Sequence, residues 1–188
     1  MALFKMCPVW MGHLLASPLR KLSQNPDAIL SPYVKPGMTA VDIGCAMGFF
    51  SIPMARLVGD SGNVVCVDIQ EGMLKGLKKR AAKKGINGNL ECRLCDENSF
   101  HVDQGSPYAD FICIYAVAHE VPEPARLFKE AASALKPGGA ILFGEPAGHV
   151  SEETFTKELE IARGSGFEPV ERLAIKRSHA VLLKAETA

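Results

Sequence analysis

The sequence predicts a doubly wound α/β fold, a mostly parallel sheet with helices packed on both faces. Two observations lead there. From Thr39 onward, apolar runs of strand length alternate with amphipathic helical stretches, the pattern of right-handed βαβ units. The first such run, Thr39–Ile43 (TAVDI), ends in a glycine-rich turn, Gly44-Cys45-Ala46-Met47-Gly48, that leads into a helix. A strand ending in glycines before a helix gathers free backbone N–H groups and the positive end of a helix dipole at one place, which suits an anionic group.

Taken in order, residues 1–35 form an N-terminal segment and residues 36–188 the main domain. The segment holds Trp10, the only tryptophan, but Pro8 and Pro18 limit any helix in residues 1–24 to a few turns. Asn25-Pro26-Asp27 starts a short helix, with Asn25 as N-cap and Pro26 in the first turn. Lys35-Pro36-Gly37 then turns the chain into strand one, Thr39–Ile43.

A helix follows over Phe49–Val58, with Pro53 tolerated in its first turn. Asn63–Asp68 (NVVCVD) is a buried second strand. Gln70–Lys84 is an amphipathic helix with Met73, Leu74 and Leu77 inward and Lys75, Lys78, Lys79 and Arg80 outward, closed by Gly85. Asn89–Arg93 is strand three. The polar loop after it, about fifteen residues long, is a candidate functional loop because structureless segments of that length are uncommon. Asp110–Tyr115 (DFICIY) is strand four, Glu123–Leu135 a helix ended by Lys136-Pro137-Gly138-Gly139, and Ala140–Glu145 strand five. Ser151 caps a helix running to Arg163. Phe167–Leu173 and Ala180–Leu183 are close enough in sequence to pair as an antiparallel hairpin.

Composition narrows the function. With 188 residues and 47% hydrophobic content, the chain is one core-forming domain with a short appendage. Lys plus Arg and Asp plus Glu stand at 21 each, so no global field draws it to nucleic acid or an anionic membrane. The longest apolar runs are strand-sized, so no membrane span is expected. No signal peptide is read at the N-terminus, and the six cysteines fall mostly in apolar strand contexts. They read as reduced core thiols of a cytoplasmic protein. Cys92-x-x-Cys95 has zinc-like spacing but lacks a second pair, so no metal is expected.

The chemistry gathers at strand ends, where ligands of such sheets bind. Asp68 closes strand two, twenty residues after Gly48. It suits the hydroxyls of a ribose; the alternative is a solvated cap of the helix that follows. Asp42 lies inside an apolar strand, where a carboxylate is costly unless paired. A ligand with an amino-acid end would pair it; alternatively it braces the turn by accepting N–H bonds from residues 44 to 48. Asp96 and Glu97 open the loop after strand three, within reach of an adenine edge or serving as ordinary loop residues. His119 and Glu120 follow strand four at the reacting end of the site. His119 there is either a general base working near neutral pH or a hydrogen-bonded loop residue. The small residues at 44, 46 and 48 step by two and then two, whereas a dinucleotide fingerprint steps by two and then three.

VDIGCAMG, VCVD, LCDENS, DFICIYAVAHEVPEP and LKPGGAILFGEP together resemble, in order and spacing, the class I S-adenosylmethionine-dependent methyltransferases. They look most like the small-molecule branch that includes quinone-biosynthesis enzymes. The resemblance covers residues 36 to 145 and extends to the C-terminal hairpin by topology. It implies a Rossmann-like sheet of seven strands with the last one antiparallel. S-adenosyl-L-methionine is the implied cofactor and a small-molecule methyl acceptor the implied partner; a homodimer stays open. By resemblance, Gly44, Ala46 and Gly48, with Cys45 and Phe49 beside them, line the methionine part, and Asp42 lies near its ammonium. Asp68 falls on the ribose, Ile69 and Gln70 beside the adenine, Asp96 on the adenine amine, and Tyr115 and Ala116 under the sulfonium.

The sequence departs from the family at two points. Ala46 replaces the middle glycine of the turn, at a cost of about 1 kcal/mol if that position needs a positive φ. The chain also has no inserted cap, so residues 1–35 are the material for a lid and Trp10, Met11 and His13 the candidates for an acceptor pocket with His119 and Glu120. Rival readings are a cofactor-binding regulator that never turns over and an NAD-linked oxidoreductase. A metal-assisted O-methyltransferase and an arsenite methyltransferase, the latter using Cys7 and Cys95, are further rivals.

Overall fold

A computed structural model describes residues 24–86, 88–103 and 105–185. Seven strands build one sheet: β1 (Thr39–Ile43), β2 (Asn63–Asp68), β3 (Leu90–Leu94), β4 (Ala109–Tyr115), β5 (Leu135–Pro146), β6 (Phe167–Arg172) and β7 (Ser178–Ala185). They lie in the order β3-β2-β1-β4-β5-β7-β6. The first five pair in parallel, and β7 runs antiparallel between β5 and β6. The expected mostly parallel sheet with an antiparallel last strand is the one formed. Order reverses beside β1, and that switch point is where a crevice opens in such sheets.

The helices are α1 (Pro26–Leu30), α2 (Ser51–Val58), α3 (Glu71–Ala82), α4 (Pro124–Ala134) and α5 (Glu152–Arg163) among the described residues. Side chains alternate across each central strand. Val41, Ile43, Ile112, Ile114, Ile141 and Phe143 therefore face one core with Leu127 and Phe128 of α4 and Phe155 of α5. Ala40, Val64, Cys66, Phe111 and Leu142 face the other with Ile52 and Met54 of α2 and Leu74 and Leu77 of α3. Each fully buried Phe, Leu or Ile adds about 1.5–3 kcal/mol, so both faces of the sheet carry the fold.

Local chemistry ends the elements as expected. The Asn25 side chain accepts from Asp27 N and Ala28 N at the start of α1, and that of Ser151 accepts from Thr154 N at the start of α5. Gly85 adopts φ +71; Ile86 N bonds Ala81 O, and Gly85 N bonds Ala82 O, the paired bonds of a Schellman motif.

Most boundaries shift by a residue or two, the last strand widening from Ala180–Leu183 to Ser178–Ala185, and two shifts have a clear local cause. Strand five begins at Leu135 rather than Ala140, because Lys136-Pro137-Gly138-Gly139 loops out of the ladder between the Ala109–Leu135 and Phe111–Ala140 pairs without ending it. Lys136 Nζ ties that excursion to Asp110 Oδ1 at 2.9 Å. Helix α2 begins at Ser51 rather than Phe49, since residues 46–50 are spent on the turn. No helix among the described residues is long and apolar enough to cross a membrane.

Candidate active site

A cavity of about 360 Å³ opens at the carboxyl ends of β1, β2 and β4, within the range of small-molecule sites. Of the residues singled out in the sequence, Asp42, Gly44, Cys45, Ala46, Phe49, Asp68, Ile69, Gln70, Asp96, Glu97, Tyr115, Ala116, His119 and Glu120 all line it. Gly48 does not. Its φ is +78, and a Cβ there would lie 2.2 Å from Leu77 Cδ1, so it lets the turn pack on α3. Trp10, Met11 and His13 lie outside the described residues.

The turn is held from below. Gly44 N and Cys45 N both donate to Val67 O at 2.9 Å, and Arg80 of α3 donates to Met47 O. Ala46 stands at φ +44, so the left-handed conformation suspected from the sequence is real. Ala116, at φ +61, is a second alanine in that region on the same cavity. Such strain persists only where the surroundings over-determine the backbone, and it clusters at functional sites.

The brace on the turn that was one reading of Asp42 is made by Asp68. Asp42, 3% exposed, accepts from the Ser51 hydroxyl and backbone N–H. It thus anchors the first residue of α2 and not the N–H groups of residues 44–48. Asp68 braces the turn instead: its Oδ2 accepts from Ala46 N at 2.9 Å and its Oδ1 from Gln70 N at 2.8 Å. Each Asp68 oxygen keeps a lone pair for a further donor. Burial is the main force on both acids. It pushes the Asp42 carboxyl up to about 7 against the Ser51 and Cys113 hydrogen bonds. It raises Asp68 as well, against its two backbone N–H bonds.

Asp96 is tied into its own loop, where Oδ1 accepts from Asn98 N and Ser99 N and Oδ2 meets His101 Nε2 at 2.8 Å. Those bonds hold its carboxyl below the ordinary range. It lines the cavity as an Asx-type turn residue with limited freedom to swing.

At the far end, a 3₁₀ turn, Ala118–Glu120, presents His119. Its Nδ1 lies 2.6 Å from Glu145 Oε2, and Glu145 Oε1 accepts from Ala118 N at 2.8 Å. Glu145 ends the apolar core of β5 and is fully buried. Burial pulls the imidazole pKa down, but the Glu145 hydrogen bond and charge, with Glu120 and Glu158 adding, outweigh it and leave it raised. Because Glu145 takes Nδ1, Nε2 is left for a partner in the cavity.

Sequence reasoning placed Glu145 at a strand end but gave it no role. The signal was the one used for Asp42 and Asp68: an acid closing an apolar strand. Met47, Phe50, Phe100, Val117, Arg126 and His149 also line the cavity and were given no role from the sequence, as do Met73, read there only as a core residue, and Cys95, read there as a core thiol or an arsenite ligand. Cys95 is buried and its thiol is pushed up to about 12, chiefly by burial. Among the described residues, no group of three or more His, Cys, Asp or Glu is placed to hold a metal ion.

A family model described as a methyltransferase domain matches residues 34–173. The chain belongs to the class I S-adenosylmethionine-dependent methyltransferases. Its curated relatives include the demethylmenaquinone methyltransferase of Shouchella clausii, 29% identical over 126 residues, 64% of this chain and 50% of that protein. The ubiquinone/menaquinone biosynthesis C-methyltransferase of Teredinibacter turnerae is 32% identical over 129 residues, 65% of this chain and 49% of that one. This methyltransferase chain thus spans about half the length of these relatives. The crystal structure of a SAM-dependent methyltransferase from Aquifex aeolicus shares its fold, with a TM-score of 0.82 at 22% identity over 95% of this chain and 98% of the other.

S-adenosylmethionine suits the residues present. The site pairs a buried carboxylate, Asp42, that has no cationic partner among the described residues, with a second carboxylate, Asp68, that keeps lone pairs for hydroxyl donors. These match an ammonium and a ribose.

Proposed function

We propose that this methyltransferase acts on a small-molecule acceptor that carries a removable proton, with His119 as the base. The observation that carries this reading is the His119–Glu145 pair facing the cavity shared by Asp42 and Asp68. Asp42 pairs with the cofactor ammonium and Asp68 accepts from the ribose hydroxyls. Gly44, Cys45, Ala46 and Phe49 border the methionine chain. Ile69, Gln70, Asp96 and Glu97 border the adenine, while Tyr115 and Ala116 lie under the sulfonium.

When bound, S-adenosylmethionine supplies a methyl group on an already activated leaving group, so alignment of the acceptor is the main demand on the protein. His119 Nε2 takes the acceptor proton, and Glu145 fixes the tautomer and stabilises the imidazolium. Glu120 orients the acceptor from the same turn. The quinone-directed names of the relatives favour a phenolic or quinol-like acceptor.

Two measurements test this. Thermal shifts with S-adenosylmethionine, S-adenosylhomocysteine and NAD should show stabilisation by the first two. Release of S-adenosylhomocysteine against a panel of phenols, quinols, carboxylates and amines should identify turnover, lost in His119→Asn. Binding with no turnover on any acceptor favours the cofactor-binding regulator.

A further inference from the structure

The long polar loop between β3 and β4 supplies Asp96, Glu97 and Phe100 to the cavity, and a loop of that length must be tied down to hold a side chain in one place. The ties run to α4. Glu130 Oε2 accepts from Ser99 Oγ at 3.1 Å and from Phe100 N at 3.0 Å. One helical turn earlier, Arg126 Nη2 donates to Glu97 O at 2.6 Å. Residues four apart share a helix face, so Arg126 and Glu130 grip the loop from one side of α4.

Ser99 carries that grip inward to Asp96. Its backbone N–H donates to Asp96 Oδ1 at 3.1 Å, and its carbonyl accepts from Asp96 N at 3.1 Å. Its hydroxyl oxygen also accepts from His101 N at 2.9 Å, and His101 Nε2 meets Asp96 Oδ2 at 2.8 Å. Both oxygens of Asp96 are therefore set by a ring of bonds. That ring is anchored on α4 by Glu130, and on β3 by Arg93 Nη1, which donates to His101 O at 2.6 Å. Among the described residues, Ser99 and Glu130 stand outside the cavity lining, so they act on a ligand only through the residues they hold.

We propose that Glu130 is a positioning residue for the adenine end of the site: through Ser99 it fixes the Asp96 carboxylate so that the base is read by its exocyclic amine. Beside its bond to His101, Asp96 Oδ2 keeps a lone pair for one more donor. An aminopurine supplies that donor. A purine with a carbonyl oxygen at the same place sets acceptor against acceptor and leaves the carboxylate unpaired, which a carboxylate held still enforces and a mobile one evades. The inference rests on the placement of adenine beside Asp96, and it names what gives that contact its selectivity.

The test is calorimetric binding of S-adenosylhomocysteine and of S-inosylhomocysteine, the same compound with the amine replaced by a carbonyl oxygen. The wild type should favour the adenine compound by about tenfold or more, the worth of one hydrogen bond to a charged group. In Glu130→Ala that ratio should shrink toward one, chiefly through weaker binding of S-adenosylhomocysteine. Glu130→Gln should restore it, because the amide oxygen can accept from the same two donors. A merely structural role would weaken both compounds alike and leave the ratio where it was.

A folded Glu130→Ala protein with the wild-type ratio overturns the proposal, as does a wild type that binds the two compounds equally. Should Glu130→Ala not fold, Ser99→Ala decides alone, since it removes the hydroxyl link and keeps the backbone bonds of Ser99 to Asp96. A narrowed ratio there supports the proposal and an unaltered one overturns it. A wild type that binds neither compound overturns the cofactor reading and this inference with it, whereas tight S-adenosylhomocysteine binding with an unaltered ratio overturns this inference alone.

Discussion

Asp42→Asn should make the empty protein more stable and the cofactor weaker. The carboxyl of Asp42 is buried, flanked on its sheet row by Cys66 of β2 and Cys113 of β4, and pushed from 3.8 to about 7. The sign follows from linkage. Between about pH 4 and 7 the unfolded chain has released this proton and the folded chain has not, so stability falls as pH rises through that window. At 1.36 kcal/mol per unit, the ionised group costs the fold about 4 kcal/mol at pH 8. Asparagine removes the charge while its amide oxygen can still accept from Ser51, so a gain of about 2–4 kcal/mol is expected. For a domain of this size that is a rise in Tm of about 5–10 °C.

At pH 4 the two proteins should differ little, since Asp42 is then protonated in the fold. Calorimetric binding at pH 8 should show S-adenosylmethionine affinity reduced about tenfold or more in Asp42→Asn, because the ammonium loses its counter-charge. Wild-type affinity should also weaken below pH 7. An Asp42→Asn protein that melts lower than wild type at pH 8, or binds the cofactor equally well, would refute the reasoning.

Three further outcomes are expected. Asp68→Ala should abolish most of the S-adenosylmethionine thermal shift, which at a hundred times Kd corresponds to about 2.7 kcal/mol; an unchanged shift means Asp68 serves the turn alone. Ala46→Gly should raise stability by about 0.5–1 kcal/mol in urea titrations, the left-handed strain of about 1–2 kcal/mol being partly offset by the entropy glycine loses on folding. Gly44→Ala should destabilise by about 2 kcal/mol or more, since φ is +73 and a Cβ would fall 2.2 Å from Val117 Cγ2; Val117→Ala in the same chain should restore part of it.

The fold was legible because the strands of the sheet centre are buried on both faces and read as unbroken apolar runs, punctuated by turns whose chemistry is local. Asp42 and Asp68 stood out for the same reason, as acids in apolar strands. What they do there was less legible. Which carboxylate braces Ala46 depends on how β1 and β2 are set side by side, and that offset is a property of the sheet, absent from either strand alone. Gly48 looked like a ligand-facing glycine, but its neighbour is Leu77, twenty-nine residues away. Phe50, Arg126 and His149 reach the cavity only once distant segments converge, so no short stretch announces them. Glu145 was missed although its signal was present.

The position of β7 bears on how this chain reaches its folded state. β6 precedes β7 in the chain yet, among the described residues, bonds to β7 alone, and β7 bonds to β5 along residues 140–146. On a ribosome, β6 would emerge with no neighbour to receive it, and the outer flank of β5 would stay bare until residues 178–185 were made. Glu145 pairs in register with His179, so the strand end that carries the acid behind His119 is walled in by nearly the last part of the sheet to be synthesised. The His119 end of the cavity is therefore walled in later than the half built around β1 to β3, which the chain can assemble early.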